Sequence, residues 1–146
     1  MLALVKAAHH KGVRVRVLMN DDRVFDLAGD PRPPEKRPGF VTVKALQRLA
    51  ACKGWRIEAK IVDIKKVGIS YIHNKGYLAD RNRMILGSIN GTRNSMHNNR
   101  ETALVLRGEQ PVDYYRSLFD WDWERSPRFP NRGQLNCERI NKVWLE

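Results

Sequence analysis

The sequence predicts an α/β fold in which helices are layered on a mixed β-sheet. Three observations lead there. A segment with helical spacing stops at Gly12 and runs straight into an alternating, valine-rich segment. The same helix–glycine–strand order returns around Gly54. A proline-opened segment with helical spacing follows from Pro111.

Each element follows from its residues. "LALVKAAHHKG" reads as the end of a helix stopped by Gly12. "VRVRVLM" alternates strictly and predicts a strand over 13–19. "NDDRVFDLAGDPRPPEKRPG" is a long loop, because its proline cluster suits neither a helix interior nor a central strand. "VTVKALQRLAACKG" sets Val43, Leu46, Leu49 and Ala50 on one helical face, with Gly54 as the stop. "WRIEAKIVDI" predicts the next strand. "GISYIHNKGYLAD" and "RMILGSIN" predict two strands joined by a turn at Asp80-Arg81-Asn82, and "ETALVL" a further strand. "PVDYYRSLFDWDWERS" opens with proline at a helix start and carries Val112, Tyr115, Leu118, Phe119 and Trp123 at helical spacing. The expected organisation is one domain over 1–126 and an irregular tail, or the start of a further segment, over 127–146.

Composition sets the bounds. At 146 residues the chain buries a core without staples. Cys52 and Cys137 are far apart and lack metal-ligand spacing; one disulfide is possible, and two free thiols are the favoured reading. No apolar run reaches the roughly 18 residues of a membrane span, and the N-terminal stretch lacks the marks of a signal peptide. The default compartment is then the cytoplasm. A net charge of +11 argues for an anionic partner: nucleic acid, a phosphorylated substrate or an anionic membrane surface touched peripherally.

The chemistry concentrates in "YIHNKGYLADRNRMILGSIN", residues 71–90. On a strand, His73 and Lys75 share a face. Lysine supplies charge to phosphate oxygens, and histidine supplies a nucleophile or a proton carrier. Gly87 permits close backbone approach, while Ser88 and Asn90 add donors. A phosphoryl group held by Lys75, Ser88 and Asn90 would meet His73 as its attacker. A histidine nucleophile needs one nitrogen unprotonated, and a carboxylate on the other nitrogen secures this. Asp80 and Glu101 are the candidates. Glu101 is favoured because it opens the strand that follows the Gly-Ser segment, whereas Asp80 sits at a turn, where aspartate is a common structural choice.

The pattern His73-x-Lys75-x4-Asp80-x6-Gly87-Ser88-x-Asn90 resembles the HKD signature of the phospholipase D superfamily, position for position. Asn99-x-Glu101 followed by "TALVL" is similar to the family's trailing Asn-x-Glu element. The resemblance covers roughly residues 2 to 124. It implies an α-β-α sandwich and one HKD half of an active site. It further implies a covalent phosphohistidine on His73, phosphate binding by Lys75 and Asn90 with Ser88 in support, and orientation of His73 by Glu101. Neither a metal nor another cofactor is expected.

The family uses two such motifs, and this chain carries one. The resemblance therefore implies a second motif from a homodimer partner or from the other half of a longer chain. The sequence begins partway through what reads as a first helix, and "FDWDW" resembles the close of a second half. Other residues have plainer readings. His9, His10 and His97 read as helix-end or loop residues, Arg14 and Arg16 as a solvated sheet edge, and Trp121 and Trp123 as packing residues.

Three functions compete. A phospholipase D-type phosphodiesterase acting on phospholipid by hydrolysis or transfer leads. A metal-independent endonuclease suits the charge but lacks alternating aromatic and basic residues for base stacking. An inactive anion-binding module is third, and the intact motif argues against it.

Overall fold

A computed structural model describes residues 2–10, 13–21, 32–33, 36–90, 92–128 and 136–138. Most of the proline-rich loop and most of the tail lie outside these residues. The chain divides into two compact units, Met1–Tyr71 with Arg125–Glu146, and Ile72–Glu124. Each is a mixture of helix and sheet, one parallel and one antiparallel, as the α/β reading requires.

The first unit begins with α1 (Leu2–His9), then β1 (Val15–Met19), α2 (Pro38–Lys53) and β2 (Ile57–Ile61). Val15 pairs with Ile57 and Met19 with Ile61 in a parallel ladder, for which α2 is the crossover helix. Alternation turns Val15 and Val17 inward from β1 and Ile57, Ala59 and Ile61 from β2. Phe40, Val43, Leu46 and Leu49 of α2 bury against them. Each such side chain contributes about 1.5–3 kcal/mol by leaving water. Helix α2 starts three residues before the predicted Val41, because Pro38 suits a first turn that leaves its N–H groups unbonded anyway. It ends at Gly54, whose φ of 65° is the left-handed cap that glycine adopts without strain.

Short α3 (Ile64–Val67) follows, with the Asp63 side chain accepting from the Lys66 N–H at 3.1 Å. The sequence reading had no helix there. Arg14 is exposed beside the sheet, as read, and it is paired as well. Its guanidinium donates to Glu58 Oε1 at 2.8 and 2.5 Å, while Arg128 donates to Glu58 Oε2 at 2.7 Å. Burial raises the Glu58 pKa, but these two cations together hold its carboxyl below the ordinary value.

The expectation of free thiols is overturned. Cys52, near the end of α2, is bonded to Cys137 across 85 residues. The bridge ties residues 136–138 of the tail to the first unit. Closing so long a loop removes much of the unfolded chain's freedom. Cys52→Ser should therefore cost about 2–5 kcal/mol, read as a lowered urea midpoint relative to the oxidised chain. An unchanged midpoint would mean that the tail adds nothing to stability.

The second unit is an antiparallel meander of β3 (Lys75–Ala79), β4 (Arg83–Gly87) and β5 (Ala103–Arg107), with α4 (Arg93–His97) between β4 and β5. Helix α5 (Glu109–Arg125) follows and contributes buried Val112 and Trp123. The predicted turn at Asp80-Arg81-Asn82 joins β3 to β4, and Asp80 has φ 55°, a left-handed value that aspartate tolerates better than most residues. Gly76 gives α5 its seat, because a Cβ there would collide with the Tyr115 ring. The Tyr115 hydroxyl accepts from Asn74 Nδ2 at 2.6 Å. Trp123 packs as expected and stacks with Phe119, but Trp121 is half exposed. Of the described residues, no helix is long and apolar enough to cross a membrane.

Candidate functional site

The strands position the site by register. Lys75 opens β3 and pairs with Gly87, which closes β4, and Gly87 pairs with Ala103 at the start of β5. The chain ends that matter therefore gather at one end of the meander. Ser88 and Asn90 leave β4 there, and Glu101 enters β5 there. Asp80 lies at the opposite end of the hairpin, roughly 15 Å from Lys75 at strand spacing. Its backbone carbonyl accepts from Arg116 of α5, which suits a turn residue.

The predicted strands are longer than those observed. His73 precedes β3, so its sharing of a strand face with Lys75 does not hold. The exposed His73 backbone carbonyl instead accepts from Lys75 Nζ at 2.5 Å, which places the ammonium beside it. Likewise Ser88 and Asn90 lie beyond β4 and do not alternate on it.

Glu101 accepts hydrogen bonds from three side chains. Ser88 Oγ donates to its Oε2, Ser95 Oγ to its Oε1 at 2.5 Å, and Asn99 Nδ2 to Oε1 at 3.1 Å. Hydrogen bonds from Ser88, then Ser95 and Asn99, hold the Glu101 carboxyl below its ordinary value, and the Lys75 ammonium adds to this through space. The sign follows: ionised Glu101 stabilises the fold above the usual carboxylate range, and that stability is lost as pH falls through its depressed value. A carboxylate offers about four acceptor positions, so three donors leave room for one more, such as an imidazole N–H.

Gly87 lets the two chain ends approach. A Cβ there would strike the Thr102 carbonyl and stand 2.8 Å from the Ala103 Cα. That closeness lets the Ser88 N–H reach Thr102 O at 2.9 Å and the Thr102 N–H reach Ser88 Oγ at 3.1 Å. Among the described residues no group of three or more His, Cys, Asp or Glu side chains is arranged to hold a metal ion.

A family model described as "Cardiolipin synthase, PLD-like domain" matches residues 1–123. The chain belongs to the phospholipase D superfamily. Curated relatives agree. A mitochondrial cardiolipin hydrolase of Canis lupus familiaris is 28% identical over 120 residues, covering 82% of this chain and 39% of the relative. The Mus musculus mitochondrial cardiolipin hydrolase is 28% identical over the same share of this chain and 44% of its own length. The Homo sapiens protein of that name is 33% identical over 55 residues, 38% of this chain and 22% of its own. The chain thus spans less than half the length of the curated relatives it matches. No solved structure matches it.

In this phospholipase D-like unit the sequence reading missed Ser95, and with it the α4 turn that carries it. The signal was local. Thr92 caps the turn by accepting from the Ser95 N–H at 3.2 Å, a hydroxyl three residues before the N–H it serves. His97, read as a loop residue, closes this helix.

Proposed function

We propose that this chain supplies one HKD half of a metal-independent phosphodiesterase that acts on phospholipid through a covalent phosphohistidine. The observation that carries the reading is the convergence of Lys75, Ser88, Asn90 and hydrogen-bonded Glu101 at one end of the meander. In this reading Lys75, Ser88 and Asn90 bind the non-bridging phosphate oxygens. Glu101 accepts the N–H of His73, leaving the other imidazole nitrogen free to attack. Asp80 shapes the hairpin turn that holds β3 in register.

The steps balance without a redox partner. His73 forms a bond to phosphorus as the bond to the leaving alkoxide breaks, and the histidine of a second motif protonates that alkoxide. Water or an acceptor alcohol then attacks the phosphohistidine, gives its proton back to the second histidine, and releases His73. Charge stabilisation and in-line positioning supply the rate.

Phospholipid is favoured because the relatives are named cardiolipin hydrolases and the family model is described as a cardiolipin synthase domain. The net charge of +11 favours nucleic acid as the second reading. Vesicles of anionic phospholipid and a single-stranded oligonucleotide, each assayed in EDTA, separate the two. Lipid cleavage that EDTA leaves unchanged is expected. Oligonucleotide cleavage without lipid turnover would give the nuclease reading, and activity lost in EDTA and restored by Mg²⁺ would overturn the metal-independent mechanism.

One motif per chain requires a second. Tyr77, Ile85 and Val105 form one cross-strand row on the Lys75 face of the sheet, and all are exposed, which suits a surface that meets another half. A homodimer should show specific activity that falls on dilution, in step with the sedimentation equilibrium. If the second motif lies in another half of a longer chain, the isolated chain sediments as a monomer and is nearly inactive. A monomer with full specific activity at high dilution would contradict both.

A further inference from the structure

We infer that Ser95, outside the HKD pattern, is a positioning residue that fixes Glu101 as a pure hydrogen-bond acceptor and ties it to the Asn90 backbone. The inference rests on the reading of Glu101 as the group that orients His73. Ser95 is 3% exposed, so water does not satisfy its hydroxyl. Its Oγ accepts from the Asn90 N–H at 2.9 Å and lies 2.5 Å from Glu101 Oε1. A serine hydroxyl has a single proton to donate. With the Asn90 N–H directed at the oxygen, that proton is left for the carboxylate. The polarity of the contact is therefore set by the backbone.

The rest of the cluster points the same way. The Thr102 N–H occupies Ser88 Oγ, and the Ser88 proton goes to Glu101 Oε2, a closer acceptor than Thr102 O at 3.5 Å. Asn99 Oδ1 accepts from Asn94 Nδ2 at 3.2 Å, which turns the Asn99 amide N–H toward Glu101. Each hydrogen-bond partner of Glu101 is thus a donor whose direction is fixed by a further bond. A neutral glutamic acid would bring its own proton against one of them. Glu101 is built to stay ionised: it can hold an imidazole N–H, and it is a poor acceptor of that proton. Because the same hydroxyl bonds Asn90, the phosphate-binding asparagine and the orienting carboxylate shift together.

The Lys75 ammonium of β3 acts on this carboxylate through space, and the ionisable residues next to it along the chain are Arg100 and, at the end of α4, His97. None of them is altered in the test. Carbon-detected NMR titration of the Glu101 carboxyl is performed on the full 146-residue chain and on Ser95→Ala, Ser95→Cys and Ser95→Thr. Ser95→Ala should move the midpoint upward, speed exchange of the Asn90 amide proton and lower kcat about tenfold with little change in KM. Ser95→Thr should restore all three. Ser95→Cys keeps the volume with a weak donor and replaces the alanine variant if that one unfolds. A folded Ser95→Ala or Ser95→Cys chain with an unmoved Glu101 midpoint would overturn the inference. So would a folded Ser95→Thr chain that restores none of the three. The titration reads Glu101 whether or not the chain turns over a phosphodiester. An upward midpoint with an unchanged acid limb of kcat/KM would therefore support Ser95 while removing Glu101 from the chemistry.

Discussion

His73→Ala should reduce turnover of bis-(p-nitrophenyl) phosphate by at least about a thousandfold, because the proposed covalent intermediate forms on its imidazole. The expectation rests on the place of His73. It lies two residues ahead of Lys75, whose ammonium contacts the His73 carbonyl, at the end of the meander where Ser88, Asn90 and Glu101 gather. The fold should survive, since the side chain is exposed and precedes β3. Circular dichroism and the urea midpoint should match the parent chain while the rate collapses. His97→Ala, four residues before Glu101 and exposed, is the comparison that should leave the rate near its parent value. Near-normal turnover by His73→Ala would remove the nucleophile from this account.

Glu101→Gln should cost on the order of a hundredfold in kcat. Glutamine keeps the length and shape of the side chain but exchanges one acceptor for a donor. Ser95 and Asn99 donate on the Oε1 side and Ser88 on the Oε2 side. Whichever way the amide turns, its NH₂ meets a donor, and at least one bond becomes a repulsion. KM should change less than kcat, because the substitution leaves Lys75, the residue proposed to bind phosphate, unaltered. Activity in Glu101→Gln should also no longer fall in acid through protonation of this carboxyl, whose pKa the parent's donors hold below the ordinary value. Unchanged kcat would mean that Glu101 is a structural link between β4 and β5 and nothing more.

Much of this arrangement was legible before any coordinates. Alternation marked β1 and β2, helical spacing and Gly54 marked α2, and Asp80-Arg81-Asn82 marked the hairpin turn. Strand ends were not legible. Residues 71–74 carry tyrosine and isoleucine and suit a strand, yet pairing begins only at Lys75, because a ladder ends where its partner β4 gives way to Ser88. The Cys52–Cys137 bridge was invisible for a different reason: two cysteines 85 residues apart show no pairing until the fold brings them together. Ser95 was hidden because its importance lies in bonds to Asn90 and Glu101, which depend on a one-turn helix within a polar run. The motif spacing selected His73, Lys75, Ser88, Asn90 and Glu101 for chemical reasons, and the register of β3, β4 and β5 places the last four at one end of the meander.

The central claim is a phosphohistidine on this chain, and it can be observed directly. The protein is mixed with bis-(p-nitrophenyl) phosphate, quenched within the first turnovers at alkaline pH, where phosphohistidine survives, and digested for peptide mass spectrometry. The account predicts a p-nitrophenyl phosphate adduct on the peptide bearing His73, absent from His73→Ala and discharged on further incubation. Sustained turnover with His73 unmodified, or an adduct on another residue of the chain, would contradict it.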